Sequence, residues 1–275
     1  GVRAPMPVQL ALLDWLALDF MDHGWSQKQL VRSVVLSSTY RQSSLVTKEA
    51  LEKDPKNRLL ARGPRFRADA EVIRDVALTT AGLLHESVGG PSIFPPVPPS
   101  LFKESYLDVD FWNTATGKER YRRSLYVFRR RSMPDPVLAS FDAPNADSAC
   151  VARARSNTPL AALTALNETV FVEAAQALAM RILREGGATD AERADYAFRL
   201  CTSRRPQPDE VQDIVELVQA SRARMVDGWV PARVVAFGDG VTLPPLPGKT
   251  TPNDAAAWTI AGRVLLNLDE TLTKN

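Results

Sequence analysis

Apolar side chains recur at three- and four-residue spacing over residues 9–22 (Gln-Leu-Ala-Leu-Leu-Asp-Trp-Leu-Ala-Leu-Asp-Phe-Met-Asp), the pattern of one helix face. Gly24 stops this helix. Ser26-Gln-Lys-Gln29 forms a capping box, in which serine and glutamine side chains satisfy free backbone N–H groups, and it opens a second helix to about Ser37. Residues 1–45 therefore read as an N-terminal helical hairpin. Residues 41–65 are polar and broken at Asp54-Pro55 and Gly63-Pro64, which predicts a loop with a turn or two of helix.

A third helix is expected over 66–86, with Phe66, Ala70, Ile73, Ala77, Ala81 and Leu84 on its apolar face. Residues 87–159 form a loop-rich polar segment that opens with Gly89-Gly90-Pro91 and runs through four further prolines to Pro99. Within it, Arg122–Phe128 fits either a strand or a helix start, and Asp135–Phe141 a short helix. Residues 160–225 are a helical segment. Its longest signal is Leu160–Glu185, which ends at Gly186-Gly187. Thr189-Asp-Ala-Glu192 is another capping box, and Pro208 suits the first position of a helix over 208–225. Glycines and prolines mark 228–252 as an inserted loop, and Asn253 or Asp254 caps a C-terminal helix within 253–270. The fold class is mainly α: one irregular helical domain over 1–275, with long Pro/Gly-rich loops and at most a minor strand pair.

Composition sets the limits of this picture. A 275-residue chain that is 45% hydrophobic and 24% charged buries a substantial core and is not wholly disordered. The 34 basic and 32 acidic residues nearly cancel, which argues against a nucleic-acid partner. No apolar run reaches the roughly 18 residues of a membrane span. Cys150 and Cys201 fit no metal spacing and there is no Cys-x-x-Cys-His, so the chain carries no c-type haem; the pair reads as two buried free thiols. The chain opens Gly-Val-Arg-Ala-Pro and enters a helix almost at once, without a signal peptide, as a fragment of a longer protein would.

Most of the basic residues are arginines, and they concentrate between Arg120 and Asn167. Asn157-Thr158-Pro159 is a side-chain cap followed by proline, and free amides at such a helix start favour anions. Arg123, Arg153 and Arg155 aimed there would hold a carboxylate, sulfate or phosphate group. The rival reading pairs these arginines with Asp142, Glu168 and Glu71 and makes them stitches between loops and helices. Glu71 and Asp75 stand four apart on one helix face, the spacing of an acid–base pair, but Arg67 and Arg74 beside them suggest a salt-bridge ladder instead. Tyr106, Phe111 and Trp112, interleaved with Glu104, Asp108 and Asp110, suit either a sugar-binding cleft or loop packing. His23 and His85 are the only histidines, and no His-Glu-x-x-His, Gly-x-Ser-x-Gly or Walker loop occurs. A histidine-ligated metal is thereby disfavoured, whereas the residues leave an oxygen-ligated calcium site open.

Several phrases occur in a familiar order: Leu12-Leu13-Asp14-Trp15-Leu16-Ala17, Gly24-Trp25-Ser26, Ser38-Thr39-Tyr40-Arg41-Gln42-Ser43-Ser44 and Asn57-Arg58-Leu59-Leu60. Ala70-Glu71-x-Ile73-Arg74-Asp75, Gly89-Gly90-Pro91, Arg123-Ser124-Leu125-Tyr126, Phe141-Asp142-Ala143-Pro144, Ser156-Asn157-Thr158-Pro159-Leu160 and Leu265-Leu266-Asn267-Leu268-Asp269-Glu270 follow. From about Pro7 to Asn275 the chain resembles the C-terminal domain of unknown function of large planctomycete surface proteins. There it follows a cytochrome-c-like domain and another uncharacterised domain. The resemblance implies an exported or cell-surface bacterial protein tied to breakdown of complex polysaccharides, with contacts to upstream domains. The haem belongs to a domain absent here. The chain departs from the pattern at Gln9-Leu10-Ala11, where relatives read His-Pro-Glu, and at Arg155-Ser156, where they read arginine-threonine.

Two functions follow. The first is a module binding a glycan, a small anionic ligand or a neighbouring domain, with Arg74, Arg123, Tyr126, Arg153, Arg155, Asn157, Thr158 and Trp112 as ligand contacts. The second is a hydrolase on a glycan or an ester- or anion-bearing substrate, with Glu71, Asp75 or Asp142 as acid or base.

Overall fold

A computed structural model describes residues 6–97, 112–131, 133–228, 230–239 and 244–274. The chain divides into two compact units, Gly1–Phe66 with Lys274–Asn275, and Arg67–Thr273.

The first unit holds helices α1 (Leu10–Asp22), α2 (Gln27–Leu36) and α3 (Lys48–Lys53). His23 and Gly24 close α1, their backbone N–H groups donating to the carbonyls of Asp19 and Met21, with Gly24 at a φ of 63°. Ser26 caps α2 by accepting from the Gln29 N–H at 3.3 Å, as the sequence pattern requires, and Thr47 caps α3 in the same way. Gly63 is the only buried residue among the described positions 6–66. A Cβ there would meet the Gln42 carbonyl oxygen at 2.5 Å, so only glycine lets the two strands of backbone approach.

The second unit begins with α4 (Ala70–Ala81). This helix is shorter at both ends than the expected 66–86. Phe66–Arg67 (β1) pairs instead with Thr273–Lys274 (β2), Asp69 is the extended N-cap, and Gly82 at a φ of 75° ends the last turn. The minor strand pair therefore exists, but not at 122–128. Within that range Ser124–Tyr126 form a short 3-10 turn, after another over Gly117–Tyr121, and Arg122 and Val127 make only isolated bridges to His85 and Ile93. After α5 (Pro136–Ser140) the expected long helix is two, α6 (Pro159–Asn167) and α7 (Thr169–Glu185). Glu168 between them is extended, with ψ 143°, and its carboxylate accepts from the Thr169 N–H at 3.0 Å, so it acts as a cap where the apolar period continues unbroken.

Helices α8 (Asp190–Thr202) and α9 (Pro208–Val226) start where the capping box and proline place them. The stretch expected as an inserted loop contains α10 (Ala232–Phe237), anchored by buried Ala236. Helix α11 (Pro252–Leu266) is capped by Thr251 in a reciprocal box with Asp254, and α12 (Asp269–Leu272) precedes β2. The centre of the core is α7 against α11, with α4 on one side and α8, α9 and α10 around the other. Trp258, Leu178, Ile182 and Leu265 are fully enclosed there. The architecture is mainly α, and among the described residues no helix is long and apolar enough to cross a membrane. Both cysteines are free, but only Cys201 is buried, its thiol pushed up to about 12 by burial, whereas Cys150 is exposed.

Both helices of the α7–α11 contact bury small residues, Ala174, Ala175 and Ala179 on α7 and Ala255, Ala257, Ala261 and Gly262 on α11. A Cβ on Gly262 would already lie 3.3 Å from the Ala175 carbonyl oxygen and 3.6 Å from a Leu178 methyl. Gly262→Leu is expected to destabilise the chain by about 1–3 kcal/mol through overpacking, measured as the shift in urea midpoint at unchanged m-value.

Candidate functional site

The polar residues singled out in the sequence gather at the N-terminal half of α4. The N-cap Asp69, Glu71 in the first turn and Asp75 in the second are presented there, and arginines from the irregular segment reach across to them. Arg153 donates to Glu71 at 2.7 Å, and Arg129 donates to the same carboxylate. Arg155 donates to Asp69 at 3.2 Å, and Arg123 to Asp75 at 3.3 Å. The second Asp75 oxygen accepts the Ser124 N–H at 2.7 Å. The three arginines expected to surround an anion thus end on helix carboxylates. A ladder does form on α4, but with loop arginines as its rungs.

Arg67 and Arg74, expected to be those rungs, turn elsewhere. Arg67 donates to the Asn157 side chain at 2.6 Å, and lies over the Phe141 ring. Arg74, only 3% exposed, donates to the backbone carbonyls of Arg122 and Arg120, both at 2.8 Å, and to the Ser124 hydroxyl at 3.2 Å. Arg122 extends this pattern. Its guanidinium donates to the carbonyls of Pro91, Ser87 and Gly89 and stacks 3.8 Å from the centroid of Tyr126. The Tyr126 hydroxyl in turn accepts the Gly89 N–H at 2.8 Å. Arg122 and Tyr126 together close the glycine turn that follows α4.

The remaining predicted residues have local partners. Asp142, in the left-handed region at a φ of 63°, accepts both the N–H and the hydroxyl of Ser156, at 2.6 and 2.8 Å. It pairs with no arginine in these bonds. Thr158 caps α6 by accepting from the Ala161 N–H at 3.1 Å. Buried Trp112 donates its indole N–H to the Pro95 carbonyl at 2.9 Å and packs against Phe94 and Phe128. Glu104, Tyr106, Asp108, Asp110 and Phe111 lie outside the described residues. Among the described residues no group of three His, Cys, Asp or Glu side chains is placed to hold a metal ion.

One cluster was not singled out from the sequence. A small pocket is lined by Arg74, Arg120, Tyr121, Asp135, Glu168 and Glu173, with Pro95, Pro96, Val137, Thr169 and Val170 as its apolar walls. Arg120 donates to Glu173 at 2.6 Å and the Tyr121 hydroxyl donates to the other Glu173 oxygen at 3.1 Å. Asp135, 8% exposed, accepts the Leu138 N–H at 2.8 Å as the cap of α5. Burial raises its pKa and the Glu168 charge adds to that, against the lowering pull of the Leu138 N–H and of Arg74. Pro134-Asp135-Pro136 carried a signal for this residue, since an aspartate before a first-turn proline is a cap pattern. Nothing in the sequence marks the cap as buried.

Compared with known proteins, residues 1–218 match the model of a family described as PSD1, protein of unknown function (DUF1553). No curated protein and no solved structure matches the chain.

Half-buried Glu71 and buried Asp135 have opposite linkage to pH. Burial raises the Glu71 pKa, but hydrogen bonds from Arg153, the helix N–H and Arg129 outweigh it, and the net value falls below the ordinary 4.5. The unfolded chain then binds the extra proton first, so the Glu71 contribution is full above 4.5 and is lost as pH falls through the folded value. For Asp135 the folded value lies above 3.8, so stability falls as pH rises from 3.8 through that value. Denaturant titrations across the acid range are expected to show Glu71→Gln less stable at neutral pH by about 1–3 kcal/mol, with a shallower acid limb. Asp135→Asn, which keeps the cap, is expected to be no less stable than the parent at neutral pH.

Proposed function

We propose that this chain, which belongs to that family of unknown function, is a non-catalytic docking module whose N-terminal helical hairpin is covered by another domain of the same longer protein. The observation carrying this reading is the exposure of that hairpin. Helices α1 and α2 bury no residue, while Leu13, Trp15, Leu18 and Val31 are each more than half exposed, Trp15 at 55% and Leu18 at 57%. A helix that is apolar on most sides is ordinarily enclosed, and large apolar side chains gathered in exposed positions on one hairpin favour an interaction site. Residues 6–66 also bury too little to stabilise themselves, so a partner that covers the face supplies the missing apolar burial.

The ion pairs on α4 support the same reading. Glu71 is held ionised by Arg129 and Arg153, which makes it a poor general acid, and Arg123, Arg153 and Arg155 are already engaged by protein carboxylates rather than turned to a ligand. The exported, planctomycete setting and the link to complex polysaccharides rest on the resemblance of the sequence phrases. They make the preceding domain of such a protein the natural occupant of the hairpin face.

The chain alone is expected to bind a hydrophobic dye and to self-associate as concentration rises. A triple substitution of Leu13, Trp15 and Leu18 to serine should remove both properties and leave the near-ultraviolet signal of enclosed Trp258 unchanged. In a binding titration with the separately produced preceding domain, the parent chain should bind and the triple variant should lose at least tenfold in affinity. A parent chain that is monomeric, silent to dye and indifferent to that domain sinks the docking reading. Turnover of chromogenic glycosides, sulfate esters or carboxyl esters that Glu71→Gln and Asp142→Asn abolish would replace it with the hydrolase.

A further inference from the structure

A groove of about 620 Å³ lies beside the C-terminal end of α4, within the range of small-molecule sites and far above the room of one water. One wall is Leu83 and Leu84, half-buried where the chain leaves the helix, followed by His85. The other is the turn that begins at Gly117, with Lys118, Arg120 and Tyr121. The two walls are tied by the His85 N–H, which donates to the Tyr121 carbonyl at 3.0 Å. Gly82 and Gly117 border the groove, and a Cβ added to either would meet no atom within 4 Å, so no neighbour crowds those edges.

The lining carries three basic side chains and no acidic one. The arginines at the other end of α4 finish on carboxylates, but these cations keep donors to spare. Lys118 is exposed, and its ammonium meets no protein acceptor among the described residues. Arg120 places one terminal nitrogen on Glu173 at 2.6 Å, and its remaining N–H donors have no protein acceptor among the described residues. His85 Nε2 stands 3.4 Å from the Glu119 carboxylate. Glu173 thus offsets Arg120 and Glu119 faces His85, which leaves the charge of Lys118 over. A cation would meet only like charge on this lining, whereas an anion meets open N–H donors. One surplus charge matches a monoanion better than a dianion. Leu83, Leu84 and the ring of Tyr121, whose hydroxyl is committed to Glu173, ask for carbon behind that charge.

We infer that this groove binds a small organic monocarboxylate, its carboxylate held by Lys118 and Arg120 and its carbon body laid along Leu83 and Leu84. The two oxygens of a carboxylate accept from an ammonium and a guanidinium at once, in charge-assisted bonds. Every lining residue belongs to the second unit, and the claim goes beyond the docking reading and stands without it.

The test is a calorimetric and nuclear-magnetic-resonance titration of the full chain with sodium benzoate, against benzyl alcohol and sodium sulfate at equal ionic strength. Saturable binding of benzoate is expected, with shift changes centred on the amides of Leu84, His85 and Lys118. Benzyl alcohol keeps the ring but lacks the charge, and should bind at least tenfold more weakly. Sulfate should not displace benzoate. Lys118→Gln and Arg120→Gln should each weaken benzoate by about tenfold, the size of one lost charge-assisted hydrogen bond. Lys249→Gln, at an exposed position outside the lining, should leave it unchanged. Arg120 also braces Glu173, so its variant can lose fold along with ligand; exposed Lys118 makes no such bond, and its variant decides the matter. Absence of saturable benzoate binding, equal binding of benzyl alcohol, displacement by sulfate, or binding that Lys118→Gln leaves intact each overturns the proposal.

Discussion

The guanidinium of Arg74 joins the two halves of the second unit's architecture. On one side it is part of α4, whose apolar face lies on α7. On the other its donors hold the carbonyls of Arg120 and Arg122 and the Ser124 hydroxyl, fixing a segment that has no regular hydrogen-bond ladder of its own. A buried guanidinium is costly unless its N–H groups are met, and here backbone oxygens meet them while Asp75, Asp135 and Glu173 supply the opposing charge. Arg122 repeats the device one layer out on the carbonyls of Ser87, Gly89 and Pro91. Irregular backbone is here held in place by arginine side chains.

That device explains which parts of the fold were legible. Helix starts are written locally, in a side chain three residues from the N–H it satisfies. Ser26, Thr189 and Pro208 accordingly mark true boundaries. The break at Glu168 is also a cap, but the apolar period runs through it and hides it. The region around residues 117–128 could not be read, since its conformation is set by donors from Arg74, dozens of positions earlier in sequence. Periodicity contains no term for a bond of that range.

The candidate site shows the same division. Residue types were readable: the phrases around Glu71, Asp142 and Asn157 do hold polar contacts. Partners were not. Arg67 and Arg74 sit beside Glu71 in sequence, yet the arginines that reach it come from positions 129 and 153. Asp135 shows the limit from the other side. Its cap role is local and visible, whereas its enclosure depends on where Glu168 and the prolines at 95 and 96 arrive.

The seam between α7 and α11 has a consequence for the entropy of folding. Alanine and glycine have no side-chain rotamers to lose, so the close approach of Gly262 to Ala175, and the other buried alanines of the two helices, order backbone at little torsional cost beside the larger Leu178, Ile182, Trp258 and Leu265. Each such residue also withdraws little apolar area from water, so the attraction rests on close approach of two backbones and the dispersion it permits. Such an interface is short-ranged. It contributes little until the helices are nearly in register, and then engages along its whole length, which favours a cooperative closing of the core over gradual condensation.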